Sequence, residues 1–193
     1  MFPDFKDLIA LLNKYKVKYL VVGGYAVSRH AQPRVTKDLD ILIQPAPKNA
    51  AAVFRALQEF GAPLRTRITP DADPQTPTRK LTAKDFEDRG TWFTMGVPPV
   101  AIDILPEIPG VTFNAAWKNR ATQIIDDDTA LTAYFISRAD LIAAKLAAGR
   151  PRDLGDVDEL RKAEAISKAA AAQAAPKPPK RKARPKKKPA AKS

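Results

Sequence analysis

The sequence predicts an α/β fold: a small mixed β-sheet flanked by helices, followed by a helical C-terminal portion. Three observations predict it. The runs VKYLVV (17–22), DLDILI (38–43) and VAIDIL (100–105) have the length and the β-branched, aliphatic content of strands. Segments with apolar residues three and four apart stand between them, the spacing of an amphipathic helix. From Ser137 to about residue 165 the pattern is helical.

Taken in order, Pro3 suits the first turn of a helix over 3–15, whose stripe is Phe5, Leu8, Ile9 and Leu12. The first strand, 17–22, ends at the pair Gly23-Gly24. A short helix over 24–31 follows and closes before Pro33. DLDILI is the second strand. An Ala-rich helix spans 48–60, with Gly61 as its C-terminal cap. Three prolines between Thr69 and Thr78 mark a loop. TWFTMG (91–96) and VAIDIL are strands separated by VPP. After an irregular region around Trp117, ATQIID (121–126) reads as another strand. Ser137 with Asp140 three residues on is a capping signal for a helix ending near Gly149, and a last helix covers about 152–165. There is no internal repeat.

Composition bounds the function classes. The 193 residues fit one domain with an appendage. The absence of cysteine excludes disulfides and thiolate chemistry and suits a reducing compartment. No apolar run approaches the roughly 20 residues that span a bilayer, and MFPDFKDLIALLNKYK does not read as a signal peptide. The expectation is a cytoplasmic protein without a membrane partner. The net charge of +12 is unevenly placed. Residues 166–193 hold eight Lys, two Arg and no acid, or +10, which leaves 23 basic and 21 acidic residues, or +2, for residues 1–165. The stretch AAAQAAPKPPKRKARPKKKPAAKS has no aromatic and no large aliphatic residue with which to form a core, so 166–193 reads as a disordered Lys/Pro/Ala-rich tail. Its charge suits RNA or another polyanion, gripped through phosphates without regard to sequence. Residues 1–165 form the folded domain.

Acids inside strands are what stand out. Side chains alternate along a strand, so Asp38 and Asp40 share one face of DLDILI while Leu39, Ile41 and Ile43 take the other. Two close carboxylates repel, which raises one pKa unless a cation intervenes. A hard divalent cation such as Mg²⁺ resolves the conflict. The plainer alternative is a pair of solvent-facing acids at a sheet edge, balanced by Lys37 or Arg34. Asp103 repeats the anomaly in VAIDIL, and if that strand lies beside DLDILI three carboxylates converge. Three carboxylates around two Mg²⁺ ions make a phosphoryl-transfer site. The Gly23-Gly24 pair leads into a helix N-terminus on the same side, a place for phosphate. It is neither a dinucleotide fingerprint nor a P-loop, because G-x-G-x-x-G and G-K-[ST] are both absent.

The order of these motifs (Gly-Gly, then D-x-D on a strand, then a distant Asp on a later strand) resembles the nucleotidyltransferase superfamily typified by DNA polymerase β. Within it, YLVVGGYAVSRHAQPRVTKDLDILI is similar to the AbiEii-like and minimal nucleotidyltransferases, several of which are toxin–antitoxin components. The resemblance covers about residues 5–165. It implies the nucleotidyltransferase fold and Mg²⁺-dependent transfer of an NMP from an NTP to a hydroxyl on an RNA end or a protein side chain. It further implies that Asp38, Asp40 and Asp103 are catalytic and hold the metal. Gly23 and Gly24 would hold the nucleotide triphosphate, although Gly24 stands where the family often has Ser. KLAAGRPRDLGDVDEL (145–160) resembles a segment of the AbiEii-like group, which makes Lys145 a nucleotide contact; otherwise it reads as a solvated lysine on an amphipathic helix. The alternative function is a non-catalytic nucleotide- or nucleic-acid-binding protein on the same fold. His30, Trp92 and Trp117 read as structural.

Overall fold

A computed structural model describes residues 2–33, 35–67, 78–88, 93–97 and 100–174. Its six helices are α1 (Pro3–Lys14), α2 (Gly23–His30), α3 (Pro47–Glu59), α4 (Phe113–Asn119), α5 (Arg138–Ala148) and α6 (Pro151–Ala174). Its strands are β1 (Tyr19–Val21), β2 (Asp38–Ile43), β3 (Arg65–Arg67), β4 (Thr78–Lys80), β5 (Phe93–Val97), β6 (Val100–Leu105), β7 (Ala121–Asp126) and β8 (Leu131–Phe135), with a short 3₁₀ helix at Ala83–Glu87. The fold is α/β, as the sequence predicts.

Six strands form one mixed sheet in the order β5-β6-β2-β1-β8-β7. The β2–β6 and β1–β8 pairs are parallel, and the β1–β2, β5–β6 and β7–β8 pairs antiparallel. The strand with the two aspartates therefore lies inside the sheet, which removes the reading of Asp38 and Asp40 as acids on a sheet edge. Strands β3 and β4 form a separate antiparallel ribbon. Helix α1 packs on α3 and β8, α5 packs on α6, and α2 meets β2, α5 and α6.

The core follows the apolar spacing. Phe5, Leu8, Ile9 and Leu12 of α1 are buried, as are Val53, Ala56 and Leu57 of α3 and Leu39, Ile41 and Ile43 of β2. Gly61 has a φ of 77°, the left-handed geometry expected just after α3. Ser137 accepts a hydrogen bond from the Asp140 N–H and caps α5, and Gly149 closes that helix at φ 65°.

The structure departs from the sequence reading in several places, among them strand β3 and the 3₁₀ helix, neither of which the reading contains. LTAYF forms β8, which the reading does not contain. FNAAWKN around Trp117 is helical, where an irregular region is expected. Thr78, expected in a loop, begins β4, while residues 68–77, together with Arg34 and Trp92, lie outside the described residues. Helix α6 continues to Ala174, nine residues into the expected tail, because Ala-rich sequence has the highest helix propensity and needs no burial to propagate. Residues 175–193 lie outside the described residues. Among those described, no helix is long and apolar enough to cross a membrane.

One buried side chain fastens three elements near the site. Asn49 of α3 accepts from the Lys18 N–H at 2.7 Å and donates to the carbonyls of Lys18 at 3.1 Å and Gln44 at 3.0 Å. It thereby ties the entrance of β1 to the exit of β2. Asn49→Ala would leave the Lys18 N–H without its partner, while the Lys18 and Gln44 carbonyls keep bonds from the Gln44 and Ala46 N–H groups, at a cost of about 1–2 kcal/mol. Urea denaturation should show the midpoint fall with the slope unchanged.

Candidate functional site

The parallel pairing of β2 with β6 sets Asp40 directly opposite Asp103. Residues opposite one another share a face of the sheet, so the two carboxylates are cross-strand neighbours. On the other side of β6, Thr94 of β5 is opposite Asp103 and donates its hydroxyl to Asp103 Oδ1 at 2.5 Å. Asp38 begins β2 two residues before Asp40 and is exposed. The three acids singled out in the sequence therefore occupy one patch. Among the described residues, no group of three or more His, Asp or Glu side chains is placed closely enough to hold a metal ion as it stands.

Asp40 carries the electrostatic strain. Its carboxyl is pushed up to about 6, first by burial and then by the charges of Asp103 and Asp38. A hydrogen bond from the Gly24 N–H and the positive charge of Lys145 oppose the rise without cancelling it. The glycine pair thus serves Asp40 directly. Gly23 has a φ of 58°, and a Cβ built there would lie 1.8 Å from Asp40 Oδ2. No side chain fits at position 23 while Asp40 keeps its place. Gly24, in the first turn of α2, offers Asp40 a helix N–H, and the helix N-terminus favours the anion. The N–H expected to face a triphosphate is, in this structure, engaged by the carboxylate.

Lys145 is neither solvated nor on an open helix face. It is buried, with Nζ 2.9 Å from Asp153 Oδ1 and 2.7 Å from Asp156 Oδ2. Burial pushes Asp153 up, but the hydrogen bonds from Arg150 and Lys145 outweigh it and hold the carboxyl below its ordinary value. Exposed Arg150 donates its Nε to Asp153 at 2.6 Å. Sequence reasoning singled out Lys145 and missed its partners, which follow eight and eleven residues later, beyond the α5–α6 turn. A cleft of about 110 Å³ joins this cluster to Asp40, bordered by Gly23, Asp40, Ile108, Lys145, Arg150 and Asp153.

His30 and Trp117 have structural tasks. Half-buried His30 lies 2.7 Å from the Ile136 carbonyl through Nε2. Burial holds its pKa below the ordinary value, so the neutral ring donates to that carbonyl. Trp117 stacks on Phe113 and carries the Arg120 guanidinium 4.0 Å from its ring centroid. Lys37 is exposed.

The donor set suits a hard divalent cation. It consists of carboxylate oxygens, crowded and partly withdrawn from water, on a strand row that places them side by side. Without a cation, the folded pKa of Asp40 lies above its unfolded value, so the native state binds the extra proton. The stabilising contribution is complete below about pH 4 and lost as pH rises through about 6. Asp40→Asn in EDTA should therefore stabilise the fold by about 2–3 kcal/mol at pH 8, a gain that vanishes near pH 4. Thermal melts of both proteins across that range read it. Lys145→Met should act oppositely, costing about 3 kcal/mol because buried Asp153 and Asp156 lose their shared cation; urea titration at pH 7.5 reads that loss.

No curated protein matches the chain. A family model described as nucleotidyltransferase of unknown function (DUF6036) matches residues 2–169, which hold every described element of the site. The chain belongs to that nucleotidyltransferase family.

Proposed function

We propose that the protein is a Mg²⁺-dependent nucleotidyltransferase of the cytoplasm that moves an NMP from an NTP to a hydroxyl acceptor and releases pyrophosphate. The observation that carries this reading is the register of Asp40 against Asp103, with the close approach of Gly23 beneath them. Family membership supports the reaction class.

Asp38, Asp40 and Asp103 would hold two Mg²⁺ ions. When bound, these supply charge neutralisation at the transferred phosphorus and a more acidic acceptor hydroxyl. The chain's own residues do the rest. Asp103, which accepts the Thr94 hydroxyl, would take the proton of the attacking hydroxyl. The start of α2 with Gly23 and Gly24 offers backbone for close approach of the triphosphate once Asp40 turns toward metal. Lys145 and Arg150 line the cleft beside Asp40 with positive charge for the departing pyrophosphate. The likeness to the AbiEii-like group extends the proposal to one component of a toxin–antitoxin pair. Residues 175–193, with nine basic residues and no acid, would add affinity for RNA or another polyanion.

The test is direct. Purified protein is incubated with each α-labelled NTP, Mg²⁺ and total cellular RNA and protein. Labelled acceptor and free pyrophosphate are expected, and Asp103→Asn should bring both to the level of a control without protein while melting normally. An Asp103→Asn variant as active as the wild type would remove the metal site from the account.

A further inference from the structure

At the ends of β2 and β6 farthest from α2 lies a second and larger space, a groove of about 800 Å³. Gln44 and Pro45, leaving β2, form one wall. Glu107, Ile108 and Thr112, leaving β6, form the other, with Asn114 of α4. Its volume is that of a ligand site.

Three features connect it to the carboxylates and define what it takes. The first is adjacency: Ile108 lines both this groove and the cleft that holds Asp40. The second is rigidity. Ile108 pairs with Val111 across a tight turn, and Gly110, at φ 72°, lies so close to α5 that a Cβ there would meet Ala147 Cβ at 2.7 Å and the Ala143 carbonyl oxygen at 3.1 Å. The segment between the two spaces is a fixed partition. The third is charge. The cleft carries charge of both signs, Lys145 and Arg150 with Asp40 and Asp153, whereas the groove has no lysine or arginine among its described lining residues and one charge, Glu107.

We infer that the groove seats the acceptor of the transfer, and that this acceptor is a polypeptide segment presenting a hydroxyl side chain near a Lys or Arg. The inference rests on the nucleotidyltransferase reading above. A phosphodiester chain in the groove would bring anionic charge against Glu107 with no cation in the lining to receive it. A basic side chain meets Glu107 favourably. The Gln44 side-chain amide donates to Asn114 Oδ1 at 2.9 Å, which leaves Gln44 Oε1 and the Asn114 amide hydrogens to serve peptide backbone groups. From Asp40 to Gln44 is four residues of strand, about 13 Å. A short extended peptide bridges that distance and delivers its hydroxyl to the carboxylates. The hydroxyl oxygen then bonds the α-phosphorus of the NTP, and the bond from that phosphorus to the α–β bridging oxygen breaks. Pyrophosphate leaves with the electron pair, and the hydroxyl proton passes to Asp103. The product is an O-nucleotidylated side chain.

The basic tail would attract polyanions in any event, so the readout is covalent label and not binding. The protein is given α-labelled NTP and Mg²⁺ with one of three acceptors: a synthetic library of Ser, Thr and Tyr peptides flanked by Arg, the same library flanked by Glu, or total RNA. The Arg library is expected to take the label, the Glu library much less, and RNA none. Glu107→Lys should lower kcat/KM for the Arg peptides by about tenfold or more, with melting temperature and affinity for a non-hydrolysable NTP unchanged. Label confined to RNA, equal labelling of the two libraries, or a Glu107→Lys variant that labels Arg peptides like the wild type would overturn the inference. So would NTP binding without label on any acceptor. Failure to bind NTP at all would instead overturn the nucleotidyltransferase reading, and the acceptor assignment with it.

Discussion

The crowding of Asp40 against Asp103 is the constraint on which the rest of the site depends. Two carboxylates side by side in a parallel strand pair, one of them largely buried, are unfavourable, and the raised pKa of Asp40 records the conflict. Several neighbours answer it. Gly23 has no side chain and so leaves room for the carboxylate, the first turn of α2 contributes an N–H, and Lys145 contributes positive charge from behind. On the opposite face, buried Leu39, Ile41 and Ile43 lock the register. A one-residue slip of β2 would turn both aspartates into the core and all three aliphatics out of it. Thus the core holds the acids together against their own repulsion.

The C-terminal helices are the back wall of this arrangement. Lys145 near the end of α5 is clasped by Asp153 and Asp156 near the start of α6, across a turn made by Gly149 in left-handed geometry. A buried ion cluster of this kind adds little net stability relative to apolar packing. Its effect here is geometric: it fixes the angle between two helices and keeps a cation beside the acids. Arg150, exposed on the same turn and also within electrostatic reach of Asp40, places a second positive charge at the mouth of the cleft. The proposed division of labour follows from this distribution of charge. Cations paired with carboxylates border the space suited to a triphosphate, and a lone carboxylate marks the space suited to the acceptor.

Much of this was legible in the sequence, for physical reasons that can be named. Asp38, Asp40 and Asp103 were visible because an acid in an aliphatic strand violates both propensity and burial, so the anomaly survives without any structure. Gly23 was visible as a strand-to-helix turn, but its close contact with Asp40 was not, because that contact depends on how β2 lies beside β1. The environment of Lys145 was hidden because its partners lie beyond a helix break, where periodicity carries no information. Strand β8 escaped because LTAYF is short and follows the turn-forming run DDDTA directly. The reach of α6 to Ala174 was missed because lack of a core was read as lack of structure, whereas alanine sustains a helix by propensity alone.

The central claim is that Asp40 and Asp103 are held together for a divalent cation. A ligand that binds only the folded state raises its stability in proportion to the logarithm of ligand concentration. The decisive measurement is therefore the melting temperature at pH 8 across a Mg²⁺ titration against EDTA, for the wild type and for Asp40→Asn. The account predicts a rise with Mg²⁺ in the wild type that is lost or greatly reduced in the variant. Identical melting of the wild type in Mg²⁺ and in EDTA would contradict it.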